Sequence, residues 1–226
     1  EYFYKACWNA AWQDAGYYSL AQISCINENP PTALEEIDKS LLKNWHNHQA
    51  RHLKTTILRH LGKNDKALAL IDESLNIDKF NYGCHFEKQL LTGNSTDMEA
   101  FCCVMRNESH NYCELFIDYA QAGCWEEALA VSQLAIEQIQ NPEIILYYLK
   151  AWCLIQLGRN EEAAGVIKTA EQKQPGCCFP NQLEAILALQ AAMQLVDHTP
   201  KAAYLLGNLW YDKRQYAEAI ACWEQS

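Results

Sequence analysis

Two groups of side chains in this sequence have types and spacings that could do chemistry. His48 and His52 stand four residues apart, with His46 just before them, so a helix would set two imidazoles on one face at a separation that holds zinc or nickel. Cys102, Cys103, His110 and Cys113 offer a softer set of ligands. Neither group completes a site. No acidic residue or cysteine stands at a matching distance from the histidines. Cys102 and Cys103, as helix neighbours, point to different faces. Solvated histidines on a basic helix account for the first group and packed thiols for the second, so no metal and no cofactor is expected. The sequence also lacks a glycine-rich phosphate loop and a Gly-x-Ser-x-Gly elbow. Its paired carboxylates, Glu126–Glu127 and Glu161–Glu162, fall where helices should begin. There they would stabilise the positive helix end by about 0.3–1 kcal/mol each, and no catalytic role is needed to explain them. The expectation is a protein that is not an enzyme.

Composition narrows the remaining classes. Half of the 226 residues are apolar, which argues for a packed core. A formal charge of −10 argues against a general binder of nucleic acid or anionic membrane. The charge is uneven, since residues 39–88 hold nine Lys/Arg against five Asp/Glu. Arg51, Lys54 and Arg59 there form a candidate basic patch for an acidic partner, the alternative being an ordinary solvated face. No apolar run is long enough for a membrane span, since 183–196 is interrupted by Glu184, Gln190 and Gln194. Most of the eleven cysteines lie inside helical patterns, where reduced thiols pack as small apolar groups. A cytoplasmic location is expected from them.

The elements that must position any binding residues are helices. In 204–223, YLLGNLWYDKRQYAEAIACW, Leu206, Gly207 and Trp210 recur at helical spacing. Beyond a polar turn, Tyr216, Ala219 and Trp223 do the same. Large residues on both helices would fill one seam, with Gly207 and Ala219 allowing two backbones to approach. This pattern resembles the tetratricopeptide repeat (TPR), a helix-turn-helix unit of about 34 residues. The resemblance implies an all-α fold, a right-handed α-α superhelix or solenoid.

The repeat frame, laid backwards from the last stretch, divides the chain into a single domain of successive units. Residues 1–13 form a partial repeat containing Phe3 and Ala6. Full repeats follow at 14–47 (Tyr17, Leu20, Ala21, Ala33, Ile37) and 48–81 (Leu58, Gly62, Ala67, Ile71). Pro30 and Pro31 mark the turn of the first, and Asp65 is the expected N-cap in the second. A short unit at 82–108 has helices expected at 82–91 and 98–105, with Thr96 or Asp97 as cap. Repeats return at 109–142 (Tyr112, Leu115, Tyr119, Gly123, Ala128, Ala135) and 144–177 (Tyr147, Ala151, Leu154, Gly158, Ala163, Ala170, Pro175). Residues 178–199 hold an orphan helix at 181–195, whose Ala185, Leu189 and Ala192 match second-helix positions of the last unit. Residues 200–226 form a truncated repeat. Helical patterns running to Glu1 and Ser226 give the expectation of a segment of a longer protein, with exposed seam residues that favour self-association.

The opening FYKACWNAAWQDAGYYSLAQI and the closing YLLGNLWYDKRQYAEAIACWEQ also resemble the C-terminal TPR array of large bacterial proteins. In those, the array follows an N-terminal domain of unknown function that is itself similar to carbohydrate-active domains. The resemblance implies a bacterial cytoplasmic origin and a non-catalytic part of a larger polypeptide. It names no ligand.

In a TPR unit the first helix lines the concave side. The positions facing that groove read Tyr18 and Gln22; His52, Thr56 and Arg59; Tyr148 and Trp152; Tyr204, Asn208 and Tyr211. Aromatic rings beside hydrogen-bonding groups suit a peptide, supplying contact area and orientation. The alternative is that the orphan helix covers some of them, making them core. A carboxylate clamp of the kind TPR domains use for C-terminal tails is not expected: only Lys201 and Asn208 fit it. The expected function is therefore a scaffold binding protein or peptide, and neither nucleic acid nor membrane. A structural module packing on a missing N-terminal domain, or a homo-oligomer, is the alternative.

Overall fold

The computed structural model describes every residue except Pro175 and Cys177. The unit-closing proline expected at 175 and one of the eleven thiols thus lie outside the described residues. The architecture is all-α, with fourteen α-helices and one short 3-10 turn among the described residues. In order the helices are α1 (Tyr2–Ala6), α2 (Gln13–Ile26), α3 (Pro30–Lys43), α4 (His48–His60), α5 (Asn64–Ile77), α6 (Tyr82–Thr92) and α7 (Ser95–Met105). They continue with α8 (Ser109–Gln121), α9 (Trp125–Gln138), α10 (Ile144–Gln156), α11 (Asn160–Gln172), α12 (Glu184–Leu195), α13 (Pro200–Asp212) and α14 (Tyr216–Trp223). Two compact units divide them: Glu1–Arg106 with Asp118–Cys124, and Asn107–Ile117 with Trp125–Ser226.

Local chemistry sets the helix ends. Asn29, Asn47 and Asn81 each cap a helix, accepting from the backbone N–H of Thr32, Ala50 and Cys84 at 3.3, 3.0 and 3.0 Å. Pro30 and Pro31 occupy the first turn of α3, where a missing N–H costs nothing. The turn inside a pair needs one residue in the left-handed conformation. Gly62, Gly123 and Gly158 supply it with φ of +68°, +71° and +75°, while Glu28 and Arg214 adopt it at +54° and +61° in the first and last pairs. Three expected details differ. Lys63 is the N-cap of α5 and Asp65 sits in its first turn. Helix α7 starts at Ser95, with Asn94 in the N-cap position, and Asp97 instead accepts from Thr92 Oγ1 at 2.6 Å. Helix α12 starts at Glu184, because the preceding segment is not helical.

Packing follows the repeat. In the first unit α2 packs on α3, α3 on α4, α4 on α5 and α6, and α6 on α7. The seam is marked by Ala33 and Ile37 in α3 and by Ala67 and Ile71 in α5, all fully buried. Each isoleucine so buried contributes about 1.5–3 kcal/mol. In the second unit α10 packs on α9, α11 and α12, and α13 packs on α12 and α14. Ala163, Ala185 and Ala219 take the small-residue position in α11, α12 and α14 and are buried. No helix among the described residues is long and apolar enough to cross a membrane.

Candidate binding surfaces

In the first unit two of the groove candidates, Thr56 and Arg59, converge on a carboxylate. Glu87 of α6 is completely buried. Its Oε1 accepts from Thr56 Oγ1 at 2.9 Å, from Tyr119 OH at 2.8 Å and from Arg59 Nη2 at 3.1 Å. Its Oε2 accepts from Arg59 Nε at 2.6 Å. The His52 ring packs edge-on against Tyr119, centroids 4.7 Å apart, and its Nδ1 lies 3.9 Å from Asp118 Oδ2. Gly83 makes this possible, since a Cβ there would overlap the His52 ring. The last turn of α8 closes the face. Gln49 Nε2 donates to Asp118 Oδ1 at 2.8 Å, and Gln22 Nε2 donates to Gln121 Oε1 at 3.2 Å. Tyr18 is half-buried, and burial reinforced by Asp118 pushes its phenol well above the ordinary range. Residues 118–121 of the same chain thus occupy the ground expected for a ligand.

Arg51, assigned to a basic patch, is also internal. It is fully buried, with Nε donating to Ser74 Oγ at 2.9 Å, Nη2 to Glu73 Oε1 at 2.5 Å, and the guanidinium 4.4 Å from the centre of the Trp45 ring. Lys54 pairs with Asp38 at 2.7 Å. All three expected patch cations are therefore matched by carboxylates, because the helices packed beside α4 carry acids that the linear sequence does not show as neighbours. His48 Nδ1 lies 3.7 Å from Asp78 Oδ2. No group of three or more His, Cys, Asp or Glu among the described residues is placed to hold a metal ion.

The second unit divides its candidates. Tyr148 is fully buried and donates to Glu171 Oε1 at 2.7 Å; burial and that carboxylate push its phenol far up. Trp152 is buried edge-on against Trp125, centroids 5.1 Å apart, and beside Phe116. Lys201, which fitted a clamp, donates to the carbonyls of Glu171 and Lys173 at the C-terminal end of α11. Glu171 in turn accepts from the backbone N–H of Lys201 and Ala202 at the start of α13. That lysine is a helix cap.

Helix α13 keeps an open aromatic face. Tyr204 is 40% and Tyr211 58% exposed, with Asn208 half-buried between them. The indole N–H of Trp223 donates to Asn208 Oδ1 at 3.2 Å. An indole can only donate, so the amide orientation is fixed and Nδ2 must face the other way. There it is buried without a hydrogen-bond partner. Gly207 gives room for the Trp223 side chain, since a Cβ would overlap the indole. The glycine thus serves a side chain, where a backbone approach was expected. Tyr216, expected in the seam, is 54% exposed, and its ring lies 5.5 Å from that of Tyr211. Ile220, one turn on, is 53% exposed and extends the apolar surface. The signal for it, an apolar pair at i and i+4 outside the Ala219 stripe, was present in the sequence.

No known protein-family model matches the chain. Among solved structures the chain is similar to a thermophilic TPR protein of Thermus thermophilus, at 17% identity over 94% of this chain and 89% of that one, with a TM-score of 0.33. It is similar to a tetratricopeptide repeat protein of Parabacteroides merdae at 16% identity over 94% and 77%, with a TM-score of 0.39. It is also similar to YrrB, described as a TPR protein with an unusual peptide-binding site, at 15% identity over 84% and 89%, with a TM-score of 0.26.

Proposed function

We propose that this chain is a non-catalytic, TPR-type scaffold that binds a protein or peptide as a segment of a larger cytoplasmic protein, and that α13 carries the contact. The observation behind this reading is the trio Tyr204, Asn208 and Tyr211. Two exposed rings flank an amide whose Nδ2 is desolvated and unpaired. Leaving a buried donor unsatisfied costs about 1–3 kcal/mol, which an incoming carbonyl would recover once the side chains covering Nδ2 part to admit it. A peptide backbone offers such carbonyls whatever its sequence. The buried members Tyr148, Trp152, His52 and Thr56 then act as support, while Tyr18, Gln22 and Arg59 join the internal network. Selection of peptides from a random displayed library, followed by titration against Asn208→Ala and Tyr211→Ala, tests this. Binding that survives both substitutions removes α13 from the site.

A second reading, self-association, draws on the exposed aromatic rings near the start of the chain. Tyr2 is 85%, Trp8 81% and Trp12 61% exposed, an apolar surface that a second copy would cover. Sedimentation that stays monomeric at the highest attainable concentration would dismiss it.

A further inference from the structure

We propose that the first unit carries a separate binding groove, between α3 and α5, for an acidic peptide segment bearing an apolar anchor. The groove encloses about 370 Å³. That is the small end of the ~300–1,000 Å³ typical of ligand pockets, room for a few side chains of an extended segment. Its floor is Leu34, Leu58 and Leu70, and the last two belong to a buried cluster against which Leu34 packs. An anchor side chain seated there touches the core directly. One wall is Trp45, half exposed, whose ring is steadied by the Arg51 guanidinium and so costs little entropy to engage.

Charge decides what fits. The two acids that line the groove, each about half exposed, are paired with cations, Asp38 with Lys54 and Glu73 with Arg51. Lys63 and Lys66, on the rim, are exposed and make no ion pair among the described residues. In a chain whose net charge is −10, this groove is left with two uncompensated positive charges over an apolar floor. The matching ligand pairs an apolar group with carboxylates. The groove is a partly open cleft, not an enclosed cavity. Small-molecule sites bury ~70–90% of their ligand, which an open groove does not do, whereas a peptide needs only its anchor covered. This site shares no residue with α13, so the two proposals stand or fall separately.

The test uses the whole chain labelled with fluorotryptophan, with the Trp45 fluorine signal assigned by Trp45→Phe among the seven tryptophans. The probe is an acetylated, amidated peptide of leucines alternating with paired glutamates. The Trp45 signal should shift saturably, and added salt should weaken binding. Glutamine in place of glutamate in the probe, or the double variant Lys63→Glu/Lys66→Glu, should each weaken binding about tenfold or more. The charge-matched control Lys168→Glu/Lys213→Glu should not. A Trp45 signal that does not move up to the solubility limit overturns the proposal. So does equal binding of the glutamine probe, equal binding by the Lys63/Lys66 variant, or a shift produced by a medium-chain fatty acid but not by the peptide.

Discussion

Replacing Glu87 gives the sharpest test of whether the first unit's inner face is core or binding site. The carboxylate is completely buried and receives four hydrogen bonds, three on Oε1 and one on Oε2. Removing one partner of a buried ion pair costs about 3–5 kcal/mol. Here Arg59 keeps 20% of its side chain exposed and can turn partly to water, so Glu87→Ala should cost about 3 kcal/mol, the low end. Glu87→Gln offers no escape. With its oxygen toward the three donors, its NH₂ meets Arg59 Nε; reversed, the Thr56 and Tyr119 hydroxyls can turn to accept, but its NH₂ still meets Arg59 Nη2. Either way donor faces donor, and a loss of about 1–3 kcal/mol follows. Replacing both charges, Glu87→Leu with Arg59→Leu, should cost less than Glu87→Ala alone, since no buried charge is stranded. Urea titration followed through the Trp45 fluorine signal reports on this unit alone. If Glu87→Ala lost under about 1 kcal/mol, the network would not be structural, and Thr56 and Arg59 would return as ligand contacts.

Other outcomes are equally specific. Gly207→Ala should destabilise the last helix pair by about 1–2 kcal/mol, because displacing Trp223 outweighs the gain in helix propensity; a raised melting temperature would contradict the close packing of the indole on Gly207. Tyr204→Ala should cut affinity for a selected peptide about thirtyfold, or about 2 kcal/mol, with little change in stability. A large fall in melting temperature with binding per folded molecule unchanged would place Tyr204 in the core. Burial pushes the Cys25 thiol up to about 11 and those of Cys84, Cys153 and Cys178 up to about 12, from an ordinary 9.0. A folded value above the unfolded one means stability held below pH 9.0 and lost as pH rises toward about 12. Urea midpoints that stay flat across that window, or that fall as steeply in Cys84→Ala/Cys153→Ala, would break the link to the thiols.

The architecture was legible because it rests on spacing. Ala33 and Ile37 return as Ala67 and Ile71, and a small residue at one place in each second helix is what the packed seam needs. Even the unpaired helix α12 was visible through Ala185, Leu189 and Ala192, all buried. What periodicity cannot show is which residues lie on a face that the chain itself covers. His52, Thr56 and Arg59 occupy groove positions in the repeat, yet Glu87 lies 28 residues beyond Arg59 and Tyr119 another 32 beyond Glu87. Only the fold makes them neighbours. The same holds for Arg51, whose partners Glu73 and Ser74 sit on a different helix. Tyr204 and Tyr211 remain 40% and 58% exposed even though Tyr216 and Trp223 of α14 lie against Tyr211, so on this face the chain leaves part of the aromatic surface open.

The contact between α2 and the end of α8 has a consequence for how the chain folds. An array in which each helix pair touches only its neighbours unzips from its ends, one pair at a time. Here Gln22 bonds Gln121 across 99 residues, and a Cβ on Gly123 would lie 3.3 Å from the Cα of Ile26. That clasp joins the beginning of the unit to its close. Forming it carries the entropy of closing a long loop. Once made, it denies the intervening pairs the option of fraying separately. The first unit should therefore unfold in one step, with slow-exchanging amides spread evenly from α2 to α6 in place of a gradient that falls toward the terminus.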